Sequence, residues 1–98
     1  MAPPLEAEFD QAMRSIHYQG KRRWTAYDGH AFLGMINRYG GVQAAKRVLA
    51  STQIQNGFTD LVLHGCAELT AESLVLEERF SVLFTADETA EARRRLGR

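Results

Sequence analysis

The sequence predicts an all-α fold, in which residues 1–98 form one compact domain of five or six helices. Apolar residues recur at intervals of three and four over several stretches, as they do on the buried face of a helix. No stretch alternates apolar and β-branched residues with the period of two that marks a strand. The chain is 45% hydrophobic and 24% charged over 98 residues, which is typical of a folded domain with one core. We therefore expect a long first helix and then short, capped helices in the second half.

The first helix is predicted from an apolar stripe near the N-terminus. Pro3 and Pro4 suit a helix start, where a missing N–H costs no hydrogen bond. Asp10 and Arg14 are four residues apart with the acid first, which favours an ion pair on the helix surface. Gly20, which precedes three basic residues, predicts that the helix ends or frays there. The stripe consists of Leu5, Phe9, Ala12, Met13, Ile16 and Gly20.

Two shorter helices are predicted on either side of a Gly-Gly pair. The first runs from about residue 29 to residue 39, with Asp28 as its N-cap. Gly40 and Gly41 end this helix, because glycine tolerates the left-handed backbone that closes a helix C-terminus. The second helix then runs from about residue 42 to residue 50.

Threonine caps divide the second half of the chain into short helices. Thr59 is expected to open one that ends before Gly65. Thr70 opens a single longer helix, whose apolar residues continue almost to the next cap. Residues 85–88 have the spacing of a capping box and precede a last helix over residues 86 to about 96.

Most of the chain from residue 27 onward resembles a small helical domain that recurs in uncharacterised bacterial proteins. The matching pieces are FLGM at 32–35, GGV at 40–42, AA at 44–45, GFTDL at 57–61, LTAESLVL at 69–76, Phe80, LFT at 83–85 and ARRRL at 92–96. The resemblance implies a free-standing short protein or an appendage to a larger, in some cases nuclease-like, protein. It implies no catalytic residues. The sequence departs from the family at Cys66, because the family has a basic residue after the preceding glycine.

The charges are unevenly distributed although the formal net charge is zero. Residues 11–50 carry a net charge of +6, and residues 60–91 carry a net charge of −7. Blocks of opposite sign can complement each other within the fold, or between two copies of the chain in a symmetric dimer. They can equally attract a charged partner, since such fields steer association.

The basic block, residues 14–47, contains the candidate nucleic-acid-binding residues. Lysine and arginine side chains bind phosphates, and an aromatic side chain beside them can stack on a base. The helix–Gly-Gly–helix unit loosely resembles a helix-turn-helix. Trp24 is the candidate stacking residue, although it can equally pack on the core. The candidates are Lys21, Arg22, Arg23, Trp24, Arg38, Lys46 and Arg47.

No catalytic, cofactor or metal site is predicted. Cys66 and His64 are two residues apart, a spacing that points helical side chains in different directions, so a buried, inert cysteine is favoured. The three histidines lack the paired spacing of zinc ligands. The carboxylates at 77–78 and 87–88 are sequence neighbours, whereas acid–base chemistry needs carboxyl groups that converge across a cleft.

These observations predict a non-enzymatic binding module that associates with nucleic acid with little sequence specificity, as a DNA-binding or regulatory accessory protein. The alternative is a protein-interaction or homodimerisation module that serves a larger enzyme. The lone cysteine, the absence of a secretory signal and the absence of a long apolar run predict a cytoplasmic protein without a membrane partner.

Overall fold

The computed structural model describes residues 4–24, 29–51, 56–63 and 65–97. These ranges contain seven α-helices, one 3-10 turn and no strand, which confirms the all-α fold and its long first helix. The helices are α1 (Pro4–Arg23), α2 (His30–Tyr39), α3 (Gly41–Ala50), α4 (Asn56–Leu63), α5 (Ala71–Val75), α6 (Glu78–Ser81) and α7 (Ala86–Leu96). The 3-10 turn spans Ala67–Leu69, between α4 and α5.

The sequence predicted that α1 ends or frays at Gly20, but the helix continues to Arg23. The backbone N–H of Trp24 donates to the carbonyl of Gly20 at 2.9 Å and closes the last turn. Lys21, Arg22 and Arg23 occupy this turn, where cations interact favourably with the helix dipole. A glycine inside a helix costs only about 1 kcal/mol, so these contributions offset it.

The Gly-Gly pair separates α2 from α3, as predicted, and each glycine has its own reason to be there. Gly40 has a φ of +83°, a conformation that side chains disfavour. Gly41 begins α3, and its backbone N–H donates to the Asp10 carboxylate at 2.8 Å. A Cβ at Gly41 would lie 2.7 Å from the Asp10 Cα atom. The close crossing of α1 and α3 therefore requires glycine, and α1 supplies the cap of α3.

The N-terminal boundaries of α2 and α4 differ in detail from those predicted. The N-cap of α2 is Gly29, with a φ of 60°, while Asp28 lies outside the described residues. Helix α4 begins at Asn56, so that Thr59 lies inside the helix instead of capping it. Threonine has only a moderate helix penalty and is not by itself a boundary. Gly65, with a φ of +73°, follows the helix as expected.

The single helix predicted after Thr70 is divided into α5 and α6. Thr70 does cap α5, because its hydroxyl accepts the N–H of Ser73 at 3.2 Å. Glu77 has an extended backbone, with φ −65° and ψ 135°, and this turns the chain before α6. The turn buries Phe80, whose ring packs edge-on against Phe9 with 5.0 Å between centroids. Aromatic packing in the core thus outweighs the propensity for one continuous helix.

Helix α7 has the predicted capping box in full. The Thr85 hydroxyl accepts the N–H of Glu88 at 3.1 Å, and the Glu88 carboxylate accepts the N–H of Thr85 at 2.8 Å. Gly97 closes the helix in the left-handed conformation, with a φ of 72°.

The core lies where α1 packs against α2, α3 and α5, and where α7 covers α3 and α5. Helix α1 contributes the buried residues Phe9, Met13 and Ile16, which confirms its predicted apolar stripe. The other core residues are Ile36, Ala44, Ala45, Leu49, Leu61, Cys66, Leu69, Ala71, Leu74, Val75, Phe80, Phe84 and Ala92.

Candidate nucleic-acid interface

The fold divides the predicted basic residues into two groups. Arg23 and Lys46 form ion pairs with carboxylates of the acidic block. Four others face solvent, and no described carboxylate lies within ion-pair distance of them. These four are Lys21, Arg22, Arg38 and Arg47.

Lys46 joins α3 to α7. Its ammonium group donates to the Glu88 carboxylate at 2.8 Å and lies 5.1 Å from the centre of the Phe84 ring. Partial burial opposes ionisation of Glu88, but hydrogen bonds from Lys46 and from Thr85 outweigh it and lower the pKa of Glu88. Lys46 is therefore engaged within the fold, although the sequence analysis made it a candidate for binding nucleic acid.

Arg23 joins the end of α1 to the 3-10 turn by donating a hydrogen bond to Glu68. The Glu68 backbone N–H and the Arg23 guanidinium together lower the pKa of the Glu68 carboxyl. Both side chains are exposed, so solvent screens the pair and it contributes little to stability. The pairs Arg23–Glu68 and Lys46–Glu88 show that part of the charge complementarity between the two blocks lies within the fold.

Arg38 and Arg47 share one aromatic ring. The guanidinium of Arg47 lies 3.8 Å from the centre of the Tyr39 ring, and that of Arg38 lies 5.5 Å from it. Arg38 is on α2 and Arg47 is on α3, so the Gly-Gly turn brings the two cations together. We call Arg38, Tyr39 and Arg47 the Tyr39 cluster. Because a cation–π contact does not use the N–H donors of a guanidinium, these donors remain available to a phosphate.

Lys21 and Arg22 of α1 lie near the N-terminal end of α2, whereas the Tyr39 cluster lies at its C-terminal end. These two residues of α1 stand beside an open groove of about 500 Å³. The groove runs between the C-terminal half of α1 and the N-terminal half of α2. None of its lining residues is acidic. We call it the α1–α2 groove, and its lining residues are His17, Tyr18, Lys21, Arg22, His30 and Leu33.

The aromatic residue in the groove is Tyr18 rather than Trp24. Trp24 is half-buried and packs against the hydrophobic core, which is the alternative that the sequence left open for it. Tyr18 is 53% exposed. Sequence reasoning missed it, although Tyr18, Lys21 and Arg22 stand at positions i, i+3 and i+4, the spacing that puts side chains on one helix face.

A buried ion pair lies in the core, around Arg95. This residue belongs to the last turn of α7. Its side chain is 1% exposed and donates to Glu72, which is 2% exposed, at 3.2 Å. It also donates to Glu91 at 2.7 Å and to the carbonyls of Val48, Leu49 and Ser51 at the end of α3.

The geometry around Arg95 is that of a structural clamp. A guanidinium has five N–H donors, and here five acceptors from three parts of the chain surround it. Burial raises the pKa of Glu72, and hydrogen bonds from its own N–H and from Arg95 only partly offset this. With its donors occupied, Arg95 ties α7 to α3 and α5 and is not available to a ligand.

The remaining candidates for chemistry form no site within the described residues. Cys66 is buried, as predicted, and His64 lies outside the described residues. In the described ranges, no three His, Cys, Asp or Glu side chains converge as metal ligands would. Of the neighbouring carboxylates, Glu88 caps α7 and pairs with Lys46, and Glu77 pairs with Arg79.

Comparison with known proteins gives no match among protein-family models, curated proteins or solved structures. The helical character implied by the resemblance in the sequence is nevertheless seen in the structure. None of the described helices combines the length and the apolar character needed to cross a lipid bilayer.

Proposed function

We propose that this chain is a non-enzymatic, cytoplasmic module that binds nucleic acid through its phosphates. The supporting observation is that Lys21, Arg22, Arg38 and Arg47 all face solvent without a described carboxylate partner. A carboxylate partner would compete with phosphate for these cations. Their freedom from such partners distinguishes them from Arg23 and Lys46, which serve the fold.

The spacing of the cations suits a run of phosphates. Lys21 and Arg22 lie near the start of α2, and the Tyr39 cluster lies at its end. Ten residues of α-helix span about 15 Å. Along one strand of a duplex, phosphates follow one another at about 3.4 Å of axial rise, so on a duplex the two cation pairs would contact phosphates about four nucleotides apart.

Binding of this kind carries two signatures. Contacts to phosphate hold no base information, so we expect little sequence specificity. Each neutralised phosphate releases counterions, so affinity falls steeply with salt. For four contacts, the plot of log K against log salt concentration should have a slope of about −3 on a single strand.

The experiment is a fluorescence-anisotropy titration of labelled, mixed-sequence DNA and RNA at about 50 mM salt, repeated at rising salt. The double substitution Lys21→Ser and Arg22→Ser should weaken binding and reduce the salt slope by about 1.4. A matched control, Arg79→Ser with Arg94→Ser, removes the same charge from exposed cations that pair with carboxylates and should leave both quantities unchanged. If the unmodified chain binds neither DNA nor RNA, the proposal is wrong.

The alternative is a protein-interaction or homodimerisation module that assists a larger enzyme. It is favoured by exposed apolar side chains, namely Leu63 at the end of α4, 77% exposed, and Val82 after α6, 76% exposed. Sedimentation velocity over a hundredfold range of concentration tests this alternative directly. A concentration-dependent shift that Leu63→Ser abolishes would favour it.

A further inference from the structure

We propose that the α1–α2 groove holds one unstacked nucleobase, so that this face of the protein takes single-stranded nucleic acid. The inference rests on the proposed function and specifies its partner. It comes from the position of an exposed aromatic ring beside Lys21 and Arg22, at the mouth of an open groove of about 500 Å³.

The groove has the size and lining of a site for a planar, partly apolar group. Ligand pockets in proteins are typically about 300–1,000 Å³, with apolar walls and a few polar groups that fix orientation. Leu33 forms an apolar wall from α2, and His17 is buried within α1. His30 adds an imidazole at the start of α2. Leu33 therefore offers packing to a base, and the exposed imidazole of His30 offers hydrogen bonds.

Tyr18 makes one aromatic contact within α1 and is accessible to solvent. Its ring meets the His17 ring edge-to-face at 74°, with 5.0 Å between the centroids. More than half of Tyr18 remains exposed, although it is a large apolar ring. Every nucleobase has a π-face, so such a ring binds bases by stacking with little regard to sequence.

The cations beside Tyr18 are placed to hold the strand that carries this base. Lys21 and Arg22 follow Tyr18 by one helical turn, on the same face of α1. They can therefore contact the phosphates that flank a base stacked on Tyr18. In a duplex the base faces are stacked on one another, and a protein must unstack a base to reach them. The groove can use its stacking contact only with an unpaired strand.

The test compares three labelled forms of one mixed-sequence 12-mer at about 50 mM salt, namely single-stranded DNA, single-stranded RNA and the DNA duplex. We expect either single strand to bind at least about tenfold more tightly than the duplex. Tyr18→Ser should weaken single-strand binding by about 5- to 150-fold and leave duplex binding unchanged. Tyr18→Phe, which keeps the ring, should bind like the unmodified chain. Because Tyr18 is exposed, circular dichroism should show both variants folded.

The outcomes separate this inference from the proposed function. Duplex binding as tight as single-strand binding, with loss on Lys21→Ser and Arg22→Ser, would overturn the single-strand inference and leave the phosphate-binding function standing. Unchanged binding by Tyr18→Ser would also overturn the inference. Competition by a free mononucleotide at the concentration of the oligonucleotide would show a small-molecule site instead. Failure of all three nucleic acids to bind would overturn both.

Discussion

The guanidinium of Arg95 donates to the carboxylate of Glu72 at 3.2 Å, and both side chains are almost fully buried. The same guanidinium reaches the carbonyls of Leu49 and Ser51 at the end of α3. Arg95 thus neutralises a buried carboxylate from α5 and satisfies carbonyls that a helix end leaves without intrahelical partners. The Arg95 side chain of α7 therefore makes buried polar contacts both to α5 and to the end of α3.

Replacing Arg95 by alanine should destabilise the protein by about 3–5 kcal/mol, because it leaves the Glu72 charge buried without compensation. The free energy of unfolding in urea measures this loss. Arg94→Ala is the matched control, since Arg94 is exposed and pairs only at the surface with Glu91, so we expect a much smaller loss of stability. Equal stability of the two variants would contradict the structural role of Arg95.

Glu91 should make stability depend on pH in the acid range. Hydrogen bonds from Arg94 and Arg95 lower the pKa of Glu91 from 4.5 to about 2. Between these values the unfolded chain binds more protons than the folded chain, so the stability from Glu91 is full above about pH 5 and is lost as the pH falls towards 2. Glu91→Gln should have a lower free energy of unfolding than the unmodified protein, and urea titrations should show this difference shrinking as the pH falls from about 5 towards 2.

A control for the acid range is Glu78→Gln, because Glu78 is exposed and pairs with no described cation. We expect the free energy of unfolding of Glu78→Gln to differ little from that of the unmodified protein over the same pH range. If the free energy of unfolding lost in Glu91→Gln stays constant down to pH 2.5, the Glu91 side chain contributes through packing and not through its charge.

Two glycines on neighbouring helices should respond to alanine in opposite ways. Gly41→Ala places a Cβ 2.7 Å from the Asp10 backbone, so α1 and α3 must move apart, and overpacking of this kind costs about 1–3 kcal/mol. Gly34→Ala meets nothing within 4 Å in the middle of α2 and should stabilise the protein by about 0.5–1 kcal/mol. Thermal unfolding followed by circular dichroism measures both shifts. A lower Tm for Gly34→Ala would contradict the open space beside it.

The parts of the fold that local chemistry determines could be predicted from the sequence. The Gly40 turn, the Thr70 cap and the Thr85–Glu88 capping box depend on residues within one turn of each other. The break between α5 and α6 could not be predicted in this way. It exists because Phe80 packs on Phe9, about 70 residues away in the chain, and such contacts leave no local pattern.

The sequence singled out the cations of the candidate site, but it missed Tyr18 and did not show how the cations are used. Charge and spacing identified Lys21 and Arg22, but they did not show that Lys46 would meet Glu88 across the fold. Arg95 illustrates the same limit. Three consecutive arginines at a helix end look equivalent in sequence, yet only the direction in which α7 packs decides that Arg95 points inward while Arg94 is exposed.

Lys46 and Arg47 allow the proposed interface to be tested with two adjacent residues. Lys46→Ala removes the ion pair with Glu88 and a contact with the Phe84 ring, so it should lower stability by about 1–2 kcal/mol and leave nucleic-acid binding unchanged. Arg47→Ala removes a solvent-facing cation, so it should change stability by at most about 1 kcal/mol but reduce the salt slope of binding by about 0.7. Urea denaturation and anisotropy titrations on both variants give the four values. Because the two substitutions remove the same charge one residue apart, equal losses of binding would mean that net charge alone, and not the carboxylate-free cations, governs the interaction.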